Sequence, residues 1–292
     1  MTDFEAYEYL TVKELADLLR IKERKVYDLA ASGKVPCSRA MGKLLFPAAD
    51  IRAWIDNAKS GGESDVERPD IFLGSHDPLL DWAIRQSGSG LATFFDGSLD
   101  GLEKFRSGGG VASGLHMFDA TAKSWNVTEA AGFAGNQNAT LITFAKRQRG
   151  LVFRFDGPRP VSVADLRGLR IAPRQEGSGT AKLFDSLARK GGLARTDARF
   201  TDVARTEDEA AQLVRSGDAD VTFGLQPVAE TYGLDFVPLI EERFDILVDR
   251  KAWFDPPLQT LLEFCRSEAF LHRANSQSGY DVSKLGQVIW NA

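Results

Sequence analysis

Arg174, Ser178, Gly179 and Thr180 stand together in the stretch RQEGSGT, directly before a helix-forming run, AKLFDSLARK. Residues of these types at a helix start suit an anion. The first turn of a helix leaves its N–H groups unpaired and carries roughly half a positive charge. Glycine lets the backbone come close, and serine and threonine add hydroxyl donors without a fixed charge. Arg174 could add a cationic fork. Two other short turns have the same make-up: GSHD with Ser75, and DGSLDG with Ser98. One such turn by itself is ordinarily a helix cap. Three of them at strand-to-helix junctions of one module predict a shared site for a small oxyanion, held mostly by neutral donors.

The same residues do not suggest catalysis. The chain lacks a Gly-x-Ser-x-Gly elbow, a phosphate loop ending in Gly-Lys-Ser/Thr, and a His-Glu-x-x-His zinc motif. Its three histidines lie in separate stretches without metal-ligand spacing, and His76 and His116 are expected to be hydrogen-bonded structural residues. No general base can be assigned to a serine in the Gly-Ser-Gly turn. The expectation is a protein that is not an enzyme and holds no cofactor or metal.

A different chemistry opens the chain. Residues 20–43 carry a net charge of +5, although the whole chain stands at −5. Lys22, Arg24, Lys25 and Tyr27 fall on the start of a short helix, and Arg39 and Lys43 on a hairpin behind it. That pattern predicts contacts to the phosphates and base edges of double-stranded DNA.

These residues need elements to hold them. TVKE at 11–14 is a capping box that starts a helix ending near Arg20. A second helix runs from about Lys22 to Ser32, with Val26, Leu29 and Ala30 inward and Gly33 as its C-terminal cap. KVPCSRAMGKLLFP then reads as a wing turning at Gly42-Lys43, and DIRAWIDNAK as a closing helix capped by Asp50. Residues 1–58 are therefore expected to form a winged helix-turn-helix domain. NAKSGGESDVERPD, residues 57–70, is rich in Gly, Ser and charge and reads as a tether, with the linker itself at 59–69. From residue 70 to 292 strands and helices alternate, which predicts a mainly parallel sheet with helices on both faces. NATLITFAKRQRGLVFRF, residues 138–155, is extended enough to cross between two α/β lobes, with a cleft at the junction. The helical stretch PPLQTLLEFCRSEAFLHRAN is expected to return to the first lobe.

Composition agrees with a globular chain: 292 residues, 43% hydrophobic and 26% charged. No apolar run reaches the length of a membrane span. The acidic start MTDFEAYEYL does not read as a signal peptide. The two cysteines, Cys37 and Cys265, form no disulfide framework, which together suggests a cytoplasmic protein.

Two resemblances follow. LTVKELADLL, RKVYDLAASGKVP and GKLLFPAADIRAWI are similar to the excisionase-type, MerR-like helix-turn-helix family over about residues 9–57. GSHDPLLDWA, GSLDGL, GLHMFD, RQEGSGTAKLFD, AAQLVRSGDADVTFGL and GLDFVPLIEERFDILV resemble the periplasmic-binding-protein-like domain of regulators and molybdopterin-biosynthesis fusions. PRQEGSGT is also similar to the Arg-x-x-x-Ser-Gly-Thr turn of tungstate-binding proteins. The resemblance implies a two-lobed type II periplasmic-binding-protein-like fold, with molybdate or tungstate held by Arg174, Ser178, Gly179, Thr180, Ser75 and Ser98. The chain departs from that pattern at Ala181, where an arginine is common, and at TAKSWN, where TGEYN is common.

Together these readings predict a ligand-responsive, DNA-binding transcription regulator acting as a homodimer. Other outcomes are the same fold sensing another small anion or a pterin-type cofactor, and an architectural or excision-type DNA-binding protein whose second domain only oligomerises.

Overall fold

A computed structural model describes residues 8–40, 42–57 and 67–292, and the chain divides into two compact units, Met1–Asp65 and Val66–Ala292. The centre of the expected tether, 58–66, lies outside the described residues. Arg68, within its expected span, is bonded into the second unit. Its guanidinium donates to the Phe105 and Gly110 carbonyls and pairs with Asp249 at 3.0 Å.

In the first unit, β1 (Tyr9–Leu10) leads into α1 (Val12–Leu19) and α2 (Glu23–Ala31). The hairpin β2 (Ser38–Ala40) and β3 (Lys43–Pro47) follows, then α3 (Ala48–Asn57). Thr11 and Glu14 close the expected capping box, and Arg20 ends α1 in the left-handed region at φ 53°. Gly33 and Gly42 both take positive φ, where a side chain would be strained. β1 pairs with β3, a contact too short to show in the sequence pattern. Asp50 is not the cap of α3: the helix begins two residues earlier, and Asp50 sits in its first turn. Leu10, Leu15, Val26, Phe46 and Ile51 form the core.

The second unit opens with β4 (Ile71–Gly74), α4 (Pro78–Ser87), β5 (Ala92–Phe95), α5 (Ser98–Arg106) and β6 (Ala112–Leu115). A small hairpin, β7 (Phe118–Asp119) with β8 (Ser124–Trp125), precedes α6 (Val127–Ala134) and the long β9 (Ala139–Phe153). Next come β10 (Arg170–Ala172), α7 (Gly179–Lys190), β11 (Arg199–Phe200), α8 (Glu207–Ser216), β12 (Val221–Leu225) and α9 (Gln226–Thr231). The unit ends with β13 (Asp235–Asp249), α10 (Pro256–Phe264), α11 (Glu268–Ser276), β14 (Tyr280–Asp281) and β15 (Val288–Asn291).

The sheet order β11-β10-β12-β9-β13-β6-β4-β5 defines two lobes. Within each lobe the outer strands are parallel, β4, β5 and β6 in one and β10, β11 and β12 in the other. β9 and β13 are not: they run antiparallel to each other and to their outer neighbours β12 and β6, so the sheet is mixed rather than mainly parallel. Each is 15 residues long, roughly 50 Å at about 3.3 Å per residue, enough to serve both lobes. β9 is the crossing stretch expected from residues 138–155, and β13 is its partner.

Alternation along the strands explains why both faces carry helices. Phe72, Ile246 and Val248 enter one cluster with α4 and α10, whereas Leu73 and Leu247 enter another with α5 and α6. Burying each such side chain stabilises the fold by about 1.5–3 kcal/mol. α10 and α11 do return to the first lobe, through Leu258, Leu261 and Phe270. No helix among the described residues is long and apolar enough to cross a membrane.

Candidate functional site

A cavity of about 60 Å³ opens between the two lobes of the second unit. Ser75, His76, Phe95, Asp96, Gly97 and His116 line it from the first lobe. Arg174, Gln175, Ser178, Thr180, Arg205, Thr206 and Glu207 line it from the second. These residues surround the starts of three helices, α5, α7 and α8. Two of those turns were visible in the sequence. The third, at Thr206, was missed as a site element although its capping box with Glu209 is legible as TEDE.

Close glycine packing places the first-lobe wall. A Cβ on Gly101 would overlap the Gly74 Cα, so α5 rests directly on the end of β4. Gly74 itself takes φ 94°. Ser98 is thereby fully buried behind Ser75, with their hydroxyls 2.7 Å apart, and it accepts from the His116 N–H at 3.2 Å. Ser75 faces the cavity; Ser98 supports it from behind.

The Gly-Ser-Gly-Thr turn forms the opposite wall. Ser178 caps α7 by accepting from the Ala181 N–H at 3.1 Å, which leaves its hydroxyl proton to donate. The N–H groups of Gly179 and Thr180 have no hydrogen-bond partner among the described residues. Gly179 is not on the wall. It lets α7 meet the first lobe, because a Cβ there would stand 2.7 Å from the His116 carbonyl oxygen. Thr180 donates its hydroxyl to Glu207 Oε1 at 3.2 Å. Arg174 lines the cavity, but its guanidinium already pairs with Glu207 at 2.9 Å and donates to the carbonyls of Ala204 and Arg205.

Behind the cavity lies an ionic chain that sequence reading did not find. Asp77, the cap of α4, pairs with Arg147 at 2.7 Å and accepts from the Tyr280 hydroxyl at 2.6 Å. Arg147 also pairs with Glu242. Glu242 pairs with Arg149 at 2.9 Å, and Arg149 with Glu207 at 2.8 Å. Arg147, Arg149 and Glu242 are each only 1% exposed. Three guanidiniums, of Arg147, Arg149 and Arg174, thus face three carboxylates, of Asp77, Glu242 and Glu207. The chain runs from the first lobe, through both crossing strands, into the second.

Burial alone would raise the two glutamates, but the guanidiniums outweigh it. Arg149 and Arg174 hold Glu207 at about 2. Arg147 and Arg149 hold Glu242 below the usual carboxylate range. The sequence signal existed: AKRQRG places Arg147 and Arg149 on one face of an apolar strand.

The hairpin β7–β8 adds an inter-lobe contact. Phe118 and Trp125, 5.0 Å apart between ring centroids, leave the first lobe and pack on the second-lobe cluster of Leu183 and Phe184. Asn126, fully buried at φ 64°, anchors its base by accepting from the Met117 N–H and donating to Asp245 at 2.7 Å. His76 lines the cavity with its ring 5.5 Å from that of Phe95 and its Nε2 4.0 Å from Asp81.

In the first unit, Lys22, Arg24, Lys25 and Tyr27 are exposed around the start of α2, with Val26 turned wholly inward. Arg39 and Lys43 are exposed on the hairpin, one residue apart in its register. Tyr27 is 54% exposed beside them.

Family models match the two units separately. The family model of the PBP superfamily domain matches residues 81–266, and that of the Helix-turn-helix domain matches residues 9–59. The uncharacterized protein YvgK of Bacillus subtilis (strain 168) is 26% identical over 96% of this chain and 97% of its own length. Among solved structures, a cysteine-to-serine mutant of Corynebacterium glutamicum OxyR superposes at TM-score 0.51 and 13% identity, covering 91% of each chain. A putative phosphate ABC transporter substrate-binding protein from Clostridium perfringens also reaches TM-score 0.51, at 11% identity, over 75% of this chain and 99% of that one. At these identities the likeness concerns the fold alone.

Proposed function

The chain belongs to the PBP superfamily and carries a helix-turn-helix domain, and from that premise we infer a DNA-binding regulator whose second unit senses a small oxyanion, with molybdate and tungstate as the first candidates. The observation that carries this reading is the cavity wall. Ser75 and the α5 start on one lobe oppose Ser178 and the unpaired N–H group of Thr180 on the other. The Arg174 and Glu207 charges on the wall are paired with each other, which leaves neutral hydroxyl and N–H donors, with Arg205 at the lining, to meet an oxyanion. A volume of about 60 Å³ favours an ion of a few heavy atoms over a pterin-type ring.

Regulation then follows from differential binding. A ligand touching both lobes favours the arrangement in which they meet, and can shift the protein only by its difference in affinity between arrangements. The basic face of α2 and the wing is the DNA contact, read as a homodimer on paired half-sites.

A thermal-shift screen of the full chain with molybdate, tungstate, sulfate and phosphate, repeated with operator DNA binding measured in each, tests the reading. One of these oxyanions raises the melting temperature and changes DNA affinity. Ser178→Ala lowers ligand affinity by about ten- to hundred-fold, the cost of a lost hydrogen bond to a charged group. No shift with any of them, with DNA binding intact, would instead favour an architectural DNA-binding protein.

A further inference from the structure

His116 leaves β6 directly into the cavity wall and is 5% exposed. Its Nδ1 is sealed from solvent, 3.4 Å from Glu242 Oε2 but without the alignment of a hydrogen bond. Phe244 stacks on the ring at 14° with centroids 6.1 Å apart. On the second-lobe side, a Cβ on Gly179 would stand 2.9 Å from Cε1 and 3.1 Å from Nδ1. The ring is held by the first lobe, a crossing strand and the start of α7. Nε2 has no hydrogen-bond partner among the described residues and, unlike Nδ1, is not sealed off.

This geometry sets the proton chemistry. A neutral imidazole carries one proton, and the Glu242 carboxylate draws it to Nδ1. Nε2, the nitrogen that is not sealed off, then carries a bare lone pair, which repels an oxyanion in the cavity that His116 lines. A second proton would turn it into a charged donor.

We propose that His116 Nε2 is a ligand contact and that the oxyanion enters the cleft together with one proton, which Nε2 takes from solvent. This rests on the oxyanion reading above. The charged groups facing the ring are Glu242 on β13 and Arg147 and Arg149 on β9. Beside it on the first-lobe wall stand His76 and Asp96, and across the cavity stand the Arg174–Glu207 pair and Arg205.

With the cleft empty, burial holds His116 below the ordinary histidine range; Glu242 opposes this, and Arg147 and Arg149 assist it. An anion at Nε2 adds negative charge and shifts the balance towards the protonated ring. Protons are therefore taken up on binding, and affinity falls as pH rises between the empty and occupied values, by up to about tenfold per pH unit.

The test is calorimetric titration of the full chain with molybdate between about pH 6 and about pH 8, where histidine changes charge but molybdate does not. Each titration is run in two buffers of different ionisation enthalpy, which counts the protons moved. The expected result is uptake approaching one proton per molybdate, with Kd rising as pH rises. His116→Gln, which places a permanent amide donor near Nε2, should still bind molybdate but without uptake or pH dependence. Wild-type binding with no proton uptake and a flat Kd would overturn this inference while leaving the oxyanion site intact. Unchanged uptake in His116→Gln would assign the proton elsewhere and overturn it as well. If that variant fails to fold, the wild-type proton count alone decides. Absence of binding to molybdate, tungstate, sulfate and phosphate at every pH would overturn both readings together.

Discussion

Arg24 in the first unit and Arg147 in the second are the same side chain in opposite circumstances. Arg24 stands in water on the start of α2, beside Lys22 and Lys25, where like charges accumulate. Arg147 is 1% exposed and lies between two carboxylates. An exposed charge keeps its hydration and costs the fold little, so it remains available to a polyanion. A buried charge has lost its hydration and depends on its partners. The first unit therefore places its basic residues on a surface, and the second uses them to tie two lobes to the strands between them.

The largest expected effect comes from breaking the buried chain. Glu242→Gln leaves Arg147 and Arg149 short of a counter-charge, so the second unit should lose about 3–5 kcal/mol. Urea denaturation followed by tryptophan fluorescence measures it. A loss below about 1 kcal/mol would mean that water reaches these groups, and would erase the contrast with Arg24.

The DNA face comes next. Arg24→Ala with Lys25→Ala should reduce DNA affinity strongly, with the slope of log K against log salt shallower by about 0.9 for each lost phosphate contact. Thermal stability should stay within about 0.5 kcal/mol of the parent, as for ordinary surface changes. An unchanged slope would remove α2 from the interface.

Acid should separate the two units again. Glu207 sits at about 2 in the fold against an ordinary 4.5. A depressed carboxylate stabilises the fold fully above its ordinary value, and that contribution is lost as pH falls through about 2. Circular dichroism melts from about pH 5 downward should show this loss in the parent, and Glu207→Gln should flatten it. A parallel decline in both proteins would assign acid sensitivity to other groups.

The smallest effect tests the cap. Ser178→Ala removes the acceptor for the Ala181 N–H and should cost about 1 kcal/mol of stability, measured by the same urea titration. A much larger loss would make Ser178 a structural keystone and confuse its ligand test.

The first unit was legible in sequence almost to the residue, because capping boxes, glycine turns and surface charge are local signals. Among the described residues, β1 and the start of α3 were missed: a two-residue strand has no pattern, and Asp50 caps as plausibly as it fills a first turn. In the second unit the sequence showed the Gly/Ser helix starts and the crossing β9. It did not show that Ser98 lies behind Ser75, that Thr180 gives its proton to Glu207, or that Arg174 already holds that carboxylate.

The chain by itself thus determined its main helices, the crossing stretch of β9 and the residue types at the helix starts, since these depend on neighbours a few positions apart. The tertiary structure alone decided which of those groups keep a free donor. Asp77 and Arg147 are 70 residues apart in sequence, and Arg147 and Glu242 are 95 apart. No local rule pairs them. The second pairing follows from the register in which β9 and β13 run antiparallel and set Arg147 opposite Glu242; the first follows from where the start of α4 meets β9. That register is fixed by apolar packing at both ends of the strands, so the charges at their middle take the partners that packing brings them.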